Sequence, residues 1–156
     1  MTEAIDDIHA IGWILIVSDL GRSVTFYRDG LGFKEGQTVQ RGSEAAHNLQ
    51  LESCKFKMCF LARPDFRLNL IEFAEPEAIG DGSRRPTQSL GPLQMAFSCA
   101  DQDAVSARLV ALGGTLVHSG MSASGKSRLV TVADPDGFRI ELNSASMADI
   151  RTMFPQ

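Results

Sequence analysis

A chain of 156 residues, 44% hydrophobic and 22% charged, has the size and make-up of one globular domain, spanning 1–156, that buries its own core. Its net charge of −4 excludes the electrostatic footprint of a nucleic-acid binder. Cys54, Cys59 and Cys99 form neither an even set nor a CxxC pair, which excludes a disulfide framework and a zinc knuckle and fits reduced thiols in a cytoplasmic protein.

The first seven residues carry Glu3, Asp6 and Asp7 where a secretory signal needs positive charge, and the longest apolar stretch is a few residues around Trp13, so no membrane contact is expected. Residues 8–17 are β-branched and apolar and predict a strand covered on both faces. Ser18 and Asp19 supply helix-capping chemistry. From Leu20 the apolar residues Val24, Tyr27 and Leu31 recur at helical spacing, with Gly30 and Gly32 flanking the stop, which predicts a helix of about three turns. A strand is expected from Phe33, and the segment 42–53 fits no single reading. Residues 56–62 and 68–73 predict a hairpin around Arg63-Pro64-Asp65.

A connection rich in Gly, Pro and charge follows. We set module one at 5–75, the connection at 76–91, module two at 92–144 and a tail at 145–156. The second half repeats the order of the first: a strand over 93–99, Asp101 as cap, a helix with Val105, Leu109 and Leu112 on one face, Gly113-Gly114 as stop, and a strand over 115–118. Residues 128–133 and 138–142 form a closing hairpin around Asp134-Pro135-Asp136-Gly137, where Pro presets φ and Gly accepts φ > 0. The tail, over 144–154, predicts a short amphipathic helix. Aligning the halves sets Gly12 opposite Gln94, Val17-Ser18-Asp19 opposite Cys99-Ala100-Asp101, and Leu68-Asn69-Leu70 opposite Ile140-Glu141-Leu142. The fold class expected is α+β, two paired βαβββ modules whose curved sheet encloses a cup lined by alternate strand residues.

The stretch Gly120-Met121-Ser122-Ala123-Ser124-Gly125-Lys126-Ser127 fits the spacing of a phosphate-binding P-loop. The residues after it, Arg128 to Val132, are β-branched and predict a strand where phosphate binding needs the N-terminus of a helix. The P-loop is therefore rejected in favour of a flap that brings Lys126 near the rim of the cup.

The run Val17-Ser18-Asp19-Leu20-Gly21-Arg22-Ser23-Val24-Thr25-Phe26-Tyr27-Arg28-Asp29-Gly30-Leu31-Gly32-Phe33 and the run Asp134-Pro135-Asp136-Gly137-Phe138-Arg139-Ile140-Glu141-Leu142 together resemble the vicinal oxygen chelate superfamily of glyoxalases, bleomycin-resistance proteins and extradiol dioxygenases. The resemblance implies that metal-dependent members hold a divalent ion at four positions, which here are Gly12, Asn69, Gln94 and Glu141. Glycine has no side chain, the two amides are weak neutral donors, and Glu141 alone is a charged oxygen ligand. No cofactor is expected. His9 lies three residues before Gly12 and faces the other side of a regular strand, while His47 and His118 read as surface or loop residues.

Glu141 either pairs with a nearby base such as Arg139 or Arg128, or lies desolvated on the cup floor as a general base. Strand alternation puts Arg139 on its face. Asn69 and Gln94 either hold a ligand carbonyl or satisfy each other, against an apolar wall of Ile14, Ile16, Ile71, Phe73 and Ala96. Arg84 and Arg85 either reach the mouth or form a solvated pair. Three functions follow: a metal-independent isomerase, epimerase or lyase acting on a small apolar or aromatic carbonyl compound, a protein that sequesters such a molecule, or a metal-dependent dioxygenase or glyoxalase with atypical ligands. A small organic molecule is the expected partner, and the resemblance implies a homodimer.

Overall fold

A computed structural model of the chain describes residues 8–155. Its elements are β1 (Trp13–Ile16), α1 (Leu20–Thr25), β2 (Lys34–Arg41), β3 (Lys55–Ala62), β4 (Arg67–Glu75), β5 (Gln94–Ser98), α2 (Gln102–Ala111), β6 (Thr115–Met121), β7 (Arg128–Ala133), β8 (Arg139–Asn143) and α3 (Met147–Arg151). The strands form two four-stranded sheets ordered β1-β4-β3-β2 and β5-β8-β7-β6. In each sheet the first strand lies parallel to the last and the rest are antiparallel, so each half is a βαβββ unit.

The internal repeat holds to the residue. Ile14 pairs with Asn69 in one sheet and Ala96 with Glu141 in the other. The amide of Val17 donates to the carbonyl of Ile71, and that of Cys99 to the carbonyl of Asn143, both at 2.8 Å. Even the irregularities match: β2 and β6 each carry a bulge, between Glu35 and Thr38 and between Leu116 and His118. A one-residue insertion at the same place in both edge strands gives both sheets the same bend.

Local chemistry sets the helix starts. Asp19 accepts from the amide of Arg22 at 2.9 Å and Asp101 from that of Ala104 at 3.0 Å, each satisfying a donor the first turn leaves open. Leu20 donates its amide to Glu72 Oε2 on β4 at 2.6 Å, which ties α1 to its own sheet. The helical path runs on past Thr25 as a wider turn over Phe26–Gly30, so Gly30 lies inside the helix and the left-handed residue that ends it is Gly32, at φ +72°. Gly30 has no side chain because Leu109 of α2 lies against it.

Between the helices and the sheets lies one core that takes Val17, Val24, Tyr27, Leu61, Leu68 and Leu70 from the first unit and Met95, Leu109, Val130, Val132, Ile140 and Leu142 from the second. These alternate along their strands with residues of the opposite, open face. The units are also locked by polar contacts. Tyr27 Oη donates to Asp134 Oδ2 at 2.8 Å, Ser18 donates to Asp136 through its amide at 2.9 Å and through its hydroxyl, and Arg22 pairs with Asp136 at 3.0 Å.

Three expectations need correction. The strand over 8–17 shrinks to Trp13–Ile16, because residues 8–12 are exposed and Gly12, at φ +147°, breaks the extended path. Nor is β1 covered on both faces: Ile14 and Ile16 are 64% and 53% exposed. The segment 42–53 forms two short 3-10 turns, Ser43–Ala45 and His47–Leu49, that lay Ala46 and Cys54 over Phe56 and Ile71 on the open face of the first sheet. Strand β6 runs three residues beyond its expected end, to Met121, so the first two residues of the rejected phosphate loop, Gly120 and Met121, close it. The residues 5–7 assigned to module one lie outside the described residues.

Candidate functional site

Where β1 ends, Ile16 and the two residues after it, Val17 and Ser18, meet the β7–β8 turn of the other unit, and the connection leaving β4 folds across the gap. The half-open cavity between them is about 960 Å³, within the range of ligand sites. Its walls are Leu15, Ile16, Val17 and Phe73 of the first unit, Leu49 and Leu51 of the 42–53 segment, and Phe138 and Arg139 of the second, under a strap that includes residues 76–83 and 85–87. The strap is almost wholly exposed on its outer side.

Two features hold the strap. Arg85 donates to the carbonyls of Pro92 at 2.7 Å and Leu90 at 2.9 Å, closing the strap on itself. Gly82 then packs backbone against backbone on the β7–β8 turn: a side chain on Gly82 would strike the carbonyl of Asp136, and one on Gly137 would strike Ser83. Gly137 also sits at φ +91°, a conformation that favours glycine.

At the turn itself Asp134 is 3% exposed and accepts from Tyr27 Oη, from the amide of Asp136 at 2.9 Å and from that of Phe138 at 2.8 Å. Burial pushes its carboxyl above the usual carboxylate range, against the pull of those three donors. Burial also holds the Tyr27 hydroxyl well above its ordinary value, with Asp134 adding to the effect.

Of the residues expected to bind a ligand, Ile16, Phe73 and Arg139 line this cavity and Ile14, Ile71, Asn69, Gln94, Glu141 and Lys126 do not. Ile71 is only 5% exposed and belongs to the cluster under the 42–53 segment, so it is core and no wall. Ile14 and Ala96 lie exposed on the open faces. Lys126 is exposed on the β6–β7 loop. Gln94 and Glu141 lie outside that lining but on the strand face of its Arg139. Gln94 is the registered neighbour of Arg139, and Glu141 lies two residues further along β8 on the same face.

Glu141 is half-buried and its Oε2 accepts from Gln94 Nε2 at 2.6 Å. Neither base offered as its partner reaches it: Arg139 donates to Thr87 Oγ1 at 2.9 Å and Arg128 pairs with Asp103 at 2.8 Å. Gln94 is likewise not paired with Asn69. Arg84 pairs with Asp81 on the strap at 3.3 Å, with most of its side chain in solvent. His9, His47 and His118 are all exposed.

The four positions that hold a divalent ion in metal-dependent relatives do not fit one here. Gly12 has no donor and no room for one, since a Cβ would lie 2.7 Å from the carbonyl oxygen of Arg67. Glu141, the sole charged donor of the four, already receives the Gln94 amide. Among the described residues no three His, Cys, Asp or Glu side chains converge as a ligand set. Also among them, no helix is long and apolar enough to cross a membrane.

Sequence reasoning missed the strap contact and the Tyr27–Asp134 bond. Gly82 and Gly137 were visible as turn residues, but their mutual contact joins positions 55 apart, and a hydrogen bond across 107 residues leaves no local pattern to read.

Residues 8–142 match the family model described as the Glyoxalase/Bleomycin resistance protein/Dioxygenase superfamily. A glyoxalase family protein from Bacillus cereus superposes with a TM-score of 0.76 at 23% identity, covering 90% of this chain and 97% of that one. A glyoxalase family protein from Enterococcus faecalis gives 0.65 at 19% identity, over 89% and 98%. The fosfomycin resistance protein FosX from Listeria monocytogenes, in a complex with Mn(II) and sulfate, gives 0.61 at 19% identity, over 92% and 98%. No curated protein matches the sequence.

Proposed function

Because the chain belongs to the glyoxalase, bleomycin resistance protein and dioxygenase superfamily, we propose that its strap-covered cavity takes a small, largely apolar carbonyl compound and that Glu141 moves a proton on it without a metal. The observation that carries this reading is the 2.6 Å hydrogen bond from Gln94 to Glu141 on the strand face that continues from the cavity wall at Arg139. An amide fixed on one carboxylate oxygen aims the other, so Glu141 Oε1 is the atom that accepts a proton. Gln94 is then a positioning residue, which revises its expected role as the group that polarises a carbonyl.

The chemistry is deprotonation of carbon next to a carbonyl. Electrons of the C–H bond pass into the carbonyl as an enolate, the proton rests on Glu141, and its return to another face or atom completes an epimerisation or isomerisation, or a leaving group departs in a lyase reaction. Such a step needs a base within hydrogen-bond reach and a wall that excludes water. The apolar residues Ile16, Leu49, Leu51, Phe73, Leu93 and Phe138 supply the wall. The same lining supports the second reading, a protein that only sequesters its ligand, since binding needs shape alone. The ligand set described above counts against a metal-dependent reaction.

The test is exchange of the acidic C–H protons of aryl ketones in D2O, followed by proton NMR with protein at substrate-like concentration. Exchange that falls at least a hundredfold in Glu141→Gln, with ligand still bound, is the expected result. Binding with exchange no faster than in buffer would leave the sequestering function and remove the enzyme. We further propose that the protein works as a homodimer in the cytoplasm.

A further inference from the structure

Resting on that reading of the cavity, we infer that its ligand is an organic anion whose single charged oxyanion head is gripped by Arg139. Among the described residues five arginines pair with carboxylates: Arg22 with Asp136, Arg28 with Asp29 and Glu35, Arg63 with Asp65, Arg84 with Asp81 and Arg128 with Asp103. Arg139 is half-buried in the cavity wall, yet among the described residues its polar contact is one neutral hydroxyl, Thr87 Oγ1. A guanidinium half-withdrawn from water beside apolar walls is stabilised by an anion or by several acceptors.

The protein's own acids on the cavity wall do not fill that place. Asp134 is held by Tyr27 and two amides, Asp136 by Ser18 and Arg22, and Asp81 by Ser83 and Arg84. Glu77 lies exposed on the strap. The other cavity arginine, Arg85, spends its donors on three backbone carbonyls of the strap. Arg139 gives Nη1 to Thr87, which leaves Nη2 and Nε side by side, the edge that meets two oxygens of a carboxylate or phosphonate. Thr87 fixes the fork in place.

The strand spacing adds a constraint on the same ligand. Arg139 and Glu141 are two residues apart on one face of β8, roughly 7 Å along the strand. A head bound by Arg139 therefore sets the reacting carbon only a few bonds away, beside Glu141. A long spacer between charge and carbonyl does not fit, and a ligand charge placed directly against Glu141 is repelled.

The experiment compares matched probes by titration calorimetry at low ionic strength: 1-naphthaleneacetate, its uncharged amide 1-naphthaleneacetamide, and 1-naphthylmethylphosphonate. The wild-type protein should bind the acetate at least about tenfold more tightly than the amide. Arg139→Met should bring the acetate down to the amide, whose affinity stays within about twofold, and Arg139→Lys should keep part of the difference. The phosphonate arm separates the two heads: preference for it selects a tetrahedral oxyanion, and preference for the acetate a planar one.

Equal binding of acetate and amide by the wild type, or equal loss of both in Arg139→Met, overturns the anion while leaving the cavity as a binding site. Failure of all three probes to bind removes the cavity reading as well. Should Arg139→Met not fold, the wild-type difference between acetate and amide must still collapse at high salt. Persistence of the difference there rejects the ion pair.

Discussion

Tyr27 and Asp134 form the contact that most depends on the fold being complete. Tyr27 is 0% exposed, and its ring packs edge-on to Phe26 and Phe33 at 5.3 and 6.1 Å between centroids. Tyr27→Phe keeps those rings and removes the donor, leaving a buried carboxylate oxygen with one partner fewer. The expected loss is about 1–3 kcal/mol at neutral pH by urea unfolding. The pH dependence has a definite sign. The folded pKa of Tyr27 lies above its unfolded value of 10.0, so its contribution is whole below pH 10 and fades as pH rises from there towards the folded pKa. Wild-type stability should fall more steeply above pH 10 than that of Tyr27→Phe, and parallel curves would contradict the assignment. Asp134 has a raised folded pKa too, so its protonation favours the fold at low pH and its charge costs stability above the folded pKa. The sequence showed Asp134 as a turn residue and Tyr27 as a helix-face residue, but neither reading required the other.

The strap is the element on which the cavity depends, and it is held by shape more than by bonds. Gly82→Val should lift the strap from the β7–β8 turn, because the new side chain has to displace the backbone of Asp136 and Gly137. Since the strap is exposed and outside the main core, the melting temperature should move by no more than about 3 °C, equivalent to about 1 kcal/mol for a domain of this size. Binding of 1-naphthaleneacetamide should weaken several-fold. Unchanged affinity would mean that the strap does not roof the ligand. Gly137→Ala should cost more stability, as it adds backbone strain at φ +91° to the same clash. Elements defined by their own periodicity were legible: the hairpins, both helices with their Asp caps, and the repeat itself. What sequence could not give was the length of β1, which ends where neighbouring backbone stops pairing with it, or the 42–53 segment, whose 3-10 turns gain stability by covering Phe56 and Ile71.

Across the whole molecule the two halves keep one backbone plan and divide the chemistry between them. The matched open-face rows are Ile14, Asn69 and Phe60 in the first sheet and Ala96, Glu141 and Thr131 in the second. The first row is apolar at both ends, with Ile14 64% and Phe60 38% exposed and Ile16 beside them at 53%. This is why the open faces were readable from alternation while the cavity was not: strand parity gives the face, but the degree of cover depends on what approaches it. Exposed apolar side chains clustered on one sheet face mark a contact surface, and a two-fold pairing would let each copy's face be covered by the other. If a homodimer forms on this face, Ile14→Glu should raise its dissociation constant at least tenfold, read by sedimentation equilibrium, because a carboxylate would be buried there without a partner. The monomer should keep its fold, since Ile14 makes little of the core, and its circular dichroism should match the wild type. A wild-type chain that sediments as a monomer at high concentration would show that the face is covered by something other than a second copy.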